Sequence, residues 1–430
     1  MARVCQFILI LATTLSTTLL RQVEQSYQNP GNMLPTLPGT IAYISPDYNV
    51  YSVHPQTNQR IALTTDGNRA QPYTWPTWST DGRLAYFLLD TNSSGQIETN
   101  VYITENGLAA GNLAYTGIGE LFTYAYWSPQ NCSRGQDCRN LAVLMSRASG
   151  LGVELVRDAS LNPATDLIGS GGPFYYSWSP DGNRMLWQRD NQHIQIYDVA
   201  RDEITDTVSE RPGSFLAPAW SPVDDRLLFG VQNEDGQTTD LVVQANGETK
   251  TLAAELQGIV RFAWSPDGNE VSYTSEDGAL HIVDAVTGGE SLRTGDSGVL
   301  AFFWSPDSNH IAYITLAAPA GSINAKQPPP FQARAITQRA SGLAWTVVDV
   351  ANGNTRSYGS FIPTDEMLYL LTYFDQFSQS HRLWSPDSHY LLYSEITPDA
   401  HASINILETT QADVVPFSIA EGLIGVWSFN

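Results

Sequence analysis

The dipeptide Trp-Ser occurs eight times along the chain, at Trp78, Trp127, Trp178, Trp220, Trp264, Trp304, Trp384 and Trp427, and eight of the eleven tryptophans sit in this setting. Successive copies lie 49, 51, 42, 44, 40, 80 and 43 residues apart. Self-similarity at a spacing of roughly 40–50 residues marks an array of supersecondary units, each too small to bury an apolar face alone.

Most copies continue as Pro-Asp-Gly or a near variant, and that continuation has a physical purpose. In Ser265-Pro266-Asp267-Gly268, proline pre-sets φ at the second position of a tight turn. Aspartate bonds to nearby backbone, and glycine accepts φ values that other residues resist. A strand entering through Phe262, Ala263 and Trp264 is therefore sent straight back. Alternating runs follow at 270–274, 280–284 and 290–293, separated by Asp277-Gly278 and Thr287-Gly288-Gly289. Four short antiparallel strands per repeat is the reading.

Trp-Ser-Pro-Asp-Gly, followed by an Ile-Ala-Tyr-like strand and an Ile-Tyr-Val-Asp-like strand ending in Thr-Gly, resembles the WD40-like (PD40) repeat of TolB-type β-propellers. The resemblance covers roughly 40–430. The copies at Trp178 and Trp264 match fully. Ser308 and Ser388 stand where glycine is expected, Thr80 replaces the proline, Gln130 replaces an aspartate, and Val223 interrupts the Pro-Asp step. The resemblance implies an all-β propeller and a protein-interaction role.

Blade count turns on the chain ends. Trp427 supplies an inner strand with nothing after it, whereas 40–65 supplies three strands with none before them. Joined, they complete one blade and leave no open edge in the ring. Eight blades result, or seven if one repeat is not a true blade. The 80-residue gap after Trp304 reads as one blade with an insertion, because Trp345 to Val350 with Asn352-Gly353 reads as its third strand.

Three regions are expected: residues 1–21 as signal peptide or membrane anchor, 22–39 as a flexible linker, and 40–430 as the propeller. The apolar stretch 4–20 has signal-peptide length and only marginal spanning length. No convincing cleavage site follows it, so cleaved signal and uncleaved anchor both stand. Cys132 and Cys138 share an insertion that replaces the turn after Trp127. In an exported chain they are expected to form a disulfide, with two free thiols as the alternative.

The formal net charge is −22, and only Lys250 and Lys326 are lysines. Nucleic-acid binding is disfavoured, because a phosphate-binding surface needs a basic patch. No calcium-loop spacing is present, so calcium has no motif behind it and no cofactor is expected. The sequence also lacks a Gly-x-Ser-x-Gly elbow, a His-Glu-x-x-His helix, a Walker loop and a dinucleotide fingerprint. The tryptophans are read as blade-to-blade packing.

Loop placement points to a recognition side. Turns after the inner strands share one face of the ring, and the connectors that lead into the inner strands share the other. The segment 317–341, with Phe331, and the connector 360–380, with Phe361, Tyr373, Phe374 and Phe377, both fall on the connector face. Together they suggest an aromatic lid beside the channel mouth; local packing of residues 367–374 as a long outer strand is the alternative. Arg261, His381 and Arg382, on inner strands, would form a basic patch able to hold an anion or to bridge channel carboxylates. The expectation is a monomeric, exported, non-enzymatic propeller that binds a protein or peptide at the cell envelope. A channel-site enzyme or a carbohydrate-processing protein, lyase- or cyclase-like, is the alternative.

Overall fold

Each turn is locked by short-range hydrogen bonds that explain why serine follows tryptophan. In the computed structural model, Gly268 N–H donates to the Ser265 carbonyl at 2.9 Å. The Ser265 hydroxyl donates to Asp267 Oδ1 at 2.6 Å and its oxygen accepts Glu270 N–H at 2.9 Å. One hydroxyl thus ties both sides of the turn. Gly268 has φ +71, in the left-handed region open to glycine. Ser308 and Ser388 take the same conformation, at φ 61 and 65. Each offsets the strain by reaching a neighbouring turn, since Ser308 Oγ accepts Asp267 N–H and Ser388 Oγ accepts Asp307 N–H, both at 3.1 Å.

The structure describes residues 37–130, 139–157, 159, 163–213, 216–258, 260–317 and 342–430. Within Pro38–Asn430, eight antiparallel sheets form an eight-bladed β-propeller. Blade 1 contains Ile41–Ile44, Val50–His54 and Gln59–Ala62, and its inner edge is the last strand of the chain, Ile424–Trp427. Ile41 lies opposite Trp427 and Ile44 opposite Ile424. Ser428 N–H donates to the Thr40 carbonyl at 2.8 Å, and Thr40 N–H returns to Ser428 Oγ at 2.9 Å. The ring is therefore closed by its own ends, as expected, and the count is eight.

The inner strands of blades 2 to 7 are Tyr73–Trp78, Leu121–Trp127, Phe174–Trp178, Ala219–Trp220, Arg261–Trp264 and Ala301–Trp304. Blade 7 resumes after the 318–341 segment with Leu343–Asp349, which pairs to His310–Leu316 as the third strand. Blade 8 is less regular. Its paired strands are Tyr390–Ile396, Ala402–Glu408 and Phe417–Glu421, and its inner position is taken by 382–385, where Trp384 bridges to Leu391, Leu392 N–H donates to the Leu383 carbonyl at 2.7 Å and Ser385 N–H to the Tyr390 carbonyl at 2.8 Å.

Tryptophan joins one blade to the next through its ring nitrogen. Trp127 Nε1 donates to the Thr77 carbonyl at 2.9 Å, Trp178 to Tyr126 at 3.1 Å, Trp264 to Ala219 at 3.2 Å, and Trp384 to Phe303 at 2.9 Å. Each acceptor immediately precedes the tryptophan of the preceding blade. At these four repeats the buried ring supplies apolar area while its polar tip finds a partner, whereas the buried Nε1 atoms of Trp78 and Trp220 have none among the described residues.

The connector from blade 7 to blade 8 departs from the sequence expectation. It is neither a lid nor an outer strand but two helices, α1 (Asp365–Thr372) and α2 (Phe374–Phe377). Thr364 caps α1 by accepting Met367 N–H at 3.1 Å, and Asp365 and Glu366 lie in its positive first turn. Met367, Leu370, Leu371 and Phe374 fall at i, i+3, i+4 and i+7 and are buried. That spacing was present in the sequence and marks the helix.

Candidate functional site

The two helices turn inward and stop the central channel. Phe374 is fully buried against Phe302 and Phe303, with ring centroids 4.7 and 5.8 Å away. Phe377 packs on Trp75 at 4.8 Å and Tyr124 at 5.2 Å. Between them Gln376 is clasped to blade 4. Its Nε2 donates to the Tyr176 carbonyl at 2.9 Å, its Oε1 accepts Tyr176 N–H at 3.4 Å, and its own carbonyl accepts the Tyr124 hydroxyl at 2.9 Å. The plug thereby reaches the inner strands of blades 2, 3, 4 and 7.

What remains open is a cup of about 380 Å³ on the face of the Trp-Ser-Pro-Asp turns. Its wall carries Trp178, Trp220, Trp264 and Trp304, with the turn prolines Pro180, Pro222, Pro266 and Pro306 at the rim. Plug residues Asp375, Ser378, Gln379 and His381 contribute to its lining, as do Arg382 and Phe429. Repetition explains the wall. A motif that recurs once per blade places the same aromatic and the same proline around one ring of positions. The tryptophans, read from sequence as packing residues, also line this cup.

The expected basic patch resolves into three different environments. His381 is buried at 1% exposure, and burial alone pushes its imidazole down to about 3, so the ring is neutral at pH 7. Its Nδ1 contacts Ser380 Oγ at 2.7 Å and its Nε2 contacts Thr77 Oγ1 at 3.2 Å. Arg261 is internally engaged. It donates to the Leu300 carbonyl at 2.7 Å and the Thr372 carbonyl at 3.3 Å, lies over the Phe374 ring, and feels the Asp375 carboxylate. Burial raises the Asp375 pKa, and Arg261 works against that rise. Arg382 sits over Phe429 at 4.2 Å, and burial pushes its guanidinium down to about 10, still charged at pH 7.

The remaining candidates distribute as follows. Phe361 is buried, 4.7 Å from the Tyr393 ring and stacked on Trp345 at 6.2 Å, away from the cup. Phe374 and Phe377 face inward as plug core, which corrects their placement in a lid beside the channel mouth. The physical reason is the helical spacing that turns them toward the inner strands. Tyr373, at 45% exposure, and Tyr369, at 37%, remain at the surface. Phe331, Cys132 and Cys138 lie outside the described residues, as do the regions 1–21 and 22–36. Asp375, Gln379, Trp178 and Phe429 were not singled out as site residues. The charged and polar pair was hidden because only helix α2 and the turn that follows it bring 375–379 to the floor.

Among the described residues, no three His, Cys, Asp or Glu side chains come together as metal ligands. No helix among them is long and apolar enough to cross a membrane.

No family model matches the chain, and no curated protein matches it. Solved structures similar to it include a eukaryotic initiation factor, with TM-score 0.51 and 12% identity over 90% of this chain and 98% of that one. TolB from Acinetobacter baumannii has TM-score 0.38 and 14% identity over 76% of this chain and 77% of that one. Kuenenia stuttgartiensis hydrazine synthase has TM-score 0.37 and 17% identity, covering 57% and 65%. At such identities the likeness shows the propeller fold alone.

Proposed function

We propose that this propeller is a non-enzymatic binding module whose cup, on the face of the Trp-Ser-Pro-Asp turns, receives part of a protein or peptide partner. The observation that carries the reading is the stopped channel: α1 and α2 close one side, and an aromatic, proline-rimmed recess remains on the other. Rigid aromatic walls give large contact area at little ordering cost, which suits recognition. The repeat pattern supports membership of the WD40-like (PD40) family of TolB-type propellers. The apolar segment 4–20 supports export, with action at the cell envelope as a monomer, tethered or released. The acidic net charge of −22 argues against nucleic acid as the partner, and no cofactor is invoked.

Two variants separate the faces of the ring. Ala263→Trp fills the cup, whereas deletion of 317–341 removes the insertion on the connector face. Affinity capture from envelope extract is expected to lose its specific partner with Ala263→Trp and keep it with the deletion. The reverse pattern would place recognition on the connector face and reject the cup.

A further inference from the structure

Arg382 stands apart from Arg261 and Asp375 in its charge balance. Arg261 has two carbonyl acceptors and Asp375 for counter-charge. Asp375 in turn accepts Gln376 N–H at 3.1 Å and is answered electrostatically by Arg261. Arg382 has neither kind of partner. Among the described residues its guanidinium makes no hydrogen bond and no ion pair, and it lies over the Phe429 ring at 4.2 Å. The titratable group that acts on it is the Tyr126 phenol, which burial keeps protonated and neutral, so it supplies no counter-charge.

A half-buried cation without a counter-ion is only partly hydrated, and a ligand that brings the counter-charge recovers part of that cost on binding. The rest of the cup sets the body of the ligand. Trp264, Trp304 and Pro306 favour an apolar or aromatic group next to the anion. A guanidinium stacked on a ring keeps its edge N–H groups free for a planar, two-oxygen acceptor. A single cation balances a monoanion, which favours carboxylate over a phosphate dianion. The plugged floor prevents a chain from threading through, so an end of a chain enters. A volume of about 380 Å³ admits a terminal residue or two, not a folded domain.

We propose that the cup captures the free C-terminal carboxylate of a partner polypeptide, with Arg382 holding the carboxylate and an apolar terminal side chain lying against the tryptophan wall. The proposal rests on the reading of the cup as the recognition site and names what enters it.

The test is isothermal titration of the full chain with N-acetyl-Gly-Pro-Phe as free acid and as C-terminal amide, and with amidated N-acetyl-Gly-Glu-Phe. The free acid is expected to bind, and both amides to bind about ten-fold or more weakly, the order expected for loss of a charge-assisted pair. Arg382→Met, checked by thermal melting, is expected to reduce acid binding to the level of the amide. Should that variant fail to fold, competition on the wild type decides, because benzoate should displace the acid peptide and benzamide should not. Equal binding of acid and amide, or full binding by the amidated glutamate peptide, overturns terminal-carboxylate capture. If no peptide binds while Ala263→Trp still abolishes partner capture, this inference fails and the cup remains the recognition site. If Ala263→Trp has no effect on capture, the cup reading itself fails.

Discussion

Gln376 and Tyr176 are joined by two hydrogen bonds across 200 residues of sequence: Gln376 Nε2 donates to the Tyr176 carbonyl at 2.9 Å and Gln376 Oε1 accepts Tyr176 N–H at 3.4 Å. A side-chain amide here does what a neighbouring strand would do, occupying the exposed inner edge of blade 4. Because Gln376 belongs to α2, this pair fastens the plug that divides the channel into a closed side and a cup.

Gln376→Ala leaves both Tyr176 backbone groups buried and unpaired. The expected cost is about 2–3 kcal/mol, since unsatisfied buried groups lose their desolvation energy in full. Chemical denaturation measures the loss. Hydrogen exchange at Tyr176 and Ser177 should quicken with it, and unchanged exchange there would show that the clasp does not hold the plug.

His381 makes the plug sensitive to acid. Its folded-state pKa of about 3 lies below the unfolded value of about 6.5. Between these values the unfolded chain binds the extra proton, so stability rises with pH across that window and falls as pH drops below 6.5. The contribution is about 2 kcal/mol at pH 5, taking about 1.4 kcal/mol per unit. His381→Gln should flatten the difference in denaturation free energy between pH 7 and pH 5. The depressed carboxylates of the turns, such as Asp267 and Asp307, act with the same sign only at lower pH. An identical pH 5 to 7 slope in both proteins contradicts the assignment.

Ser308 separates backbone strain from hydrogen bonding. Ser308→Ala loses the contact to Asp267 N–H and keeps a β-carbon at φ 61, for an expected cost of about 1 kcal/mol. Ser308→Gly loses the same contact but relieves the left-handed conformation, so its cost should be smaller. Denaturation midpoints should therefore order as wild type, then glycine, then alanine. Alanine equal to wild type would remove the inter-turn bond from the account.

Trp427 closes the ring with a fully buried side chain whose Nε1 donates to the Pro38 carbonyl at 2.7 Å. Trp427→Ala is expected to cost about 3–5 kcal/mol, the range for deleting a buried aromatic. Exchange should accelerate first in Ile41–Ile44, which pairs directly with the closing strand. Uniform acceleration around the ring would mean that closure is not the weak joint.

The sequence made the blades legible because their chemistry is local. Ser265, Asp267 and Glu270 complete their hydrogen bonds within five residues, so a pattern of that length carries the whole turn. Ring closure was legible for a related reason: an orphan inner strand at Trp427 and three strands at 40–65 have one economical pairing. The plug was only half legible. Thr364 with Asp365 and Glu366, followed by apolar residues at helical spacing, is a helix signal that the surrounding strand pattern masked. Its destination had no signal at all. Arg261, His381 and Arg382 were recognised as inner-strand groups, but their different charge states depend on Asp375, on burial and on Phe429.

By itself the sequence determined the repeat, the turn chemistry and the closure, because each follows from neighbours in the chain or from the alternation of strands. Only the tertiary structure decided which face carries a recess. Residues 365–377 fold into the channel because burying Phe374 and Phe377 against the inner strands of distant blades removes apolar area from water. That nonlocal packing leaves the tryptophan cup, with Arg382 in its wall, on the opposite side.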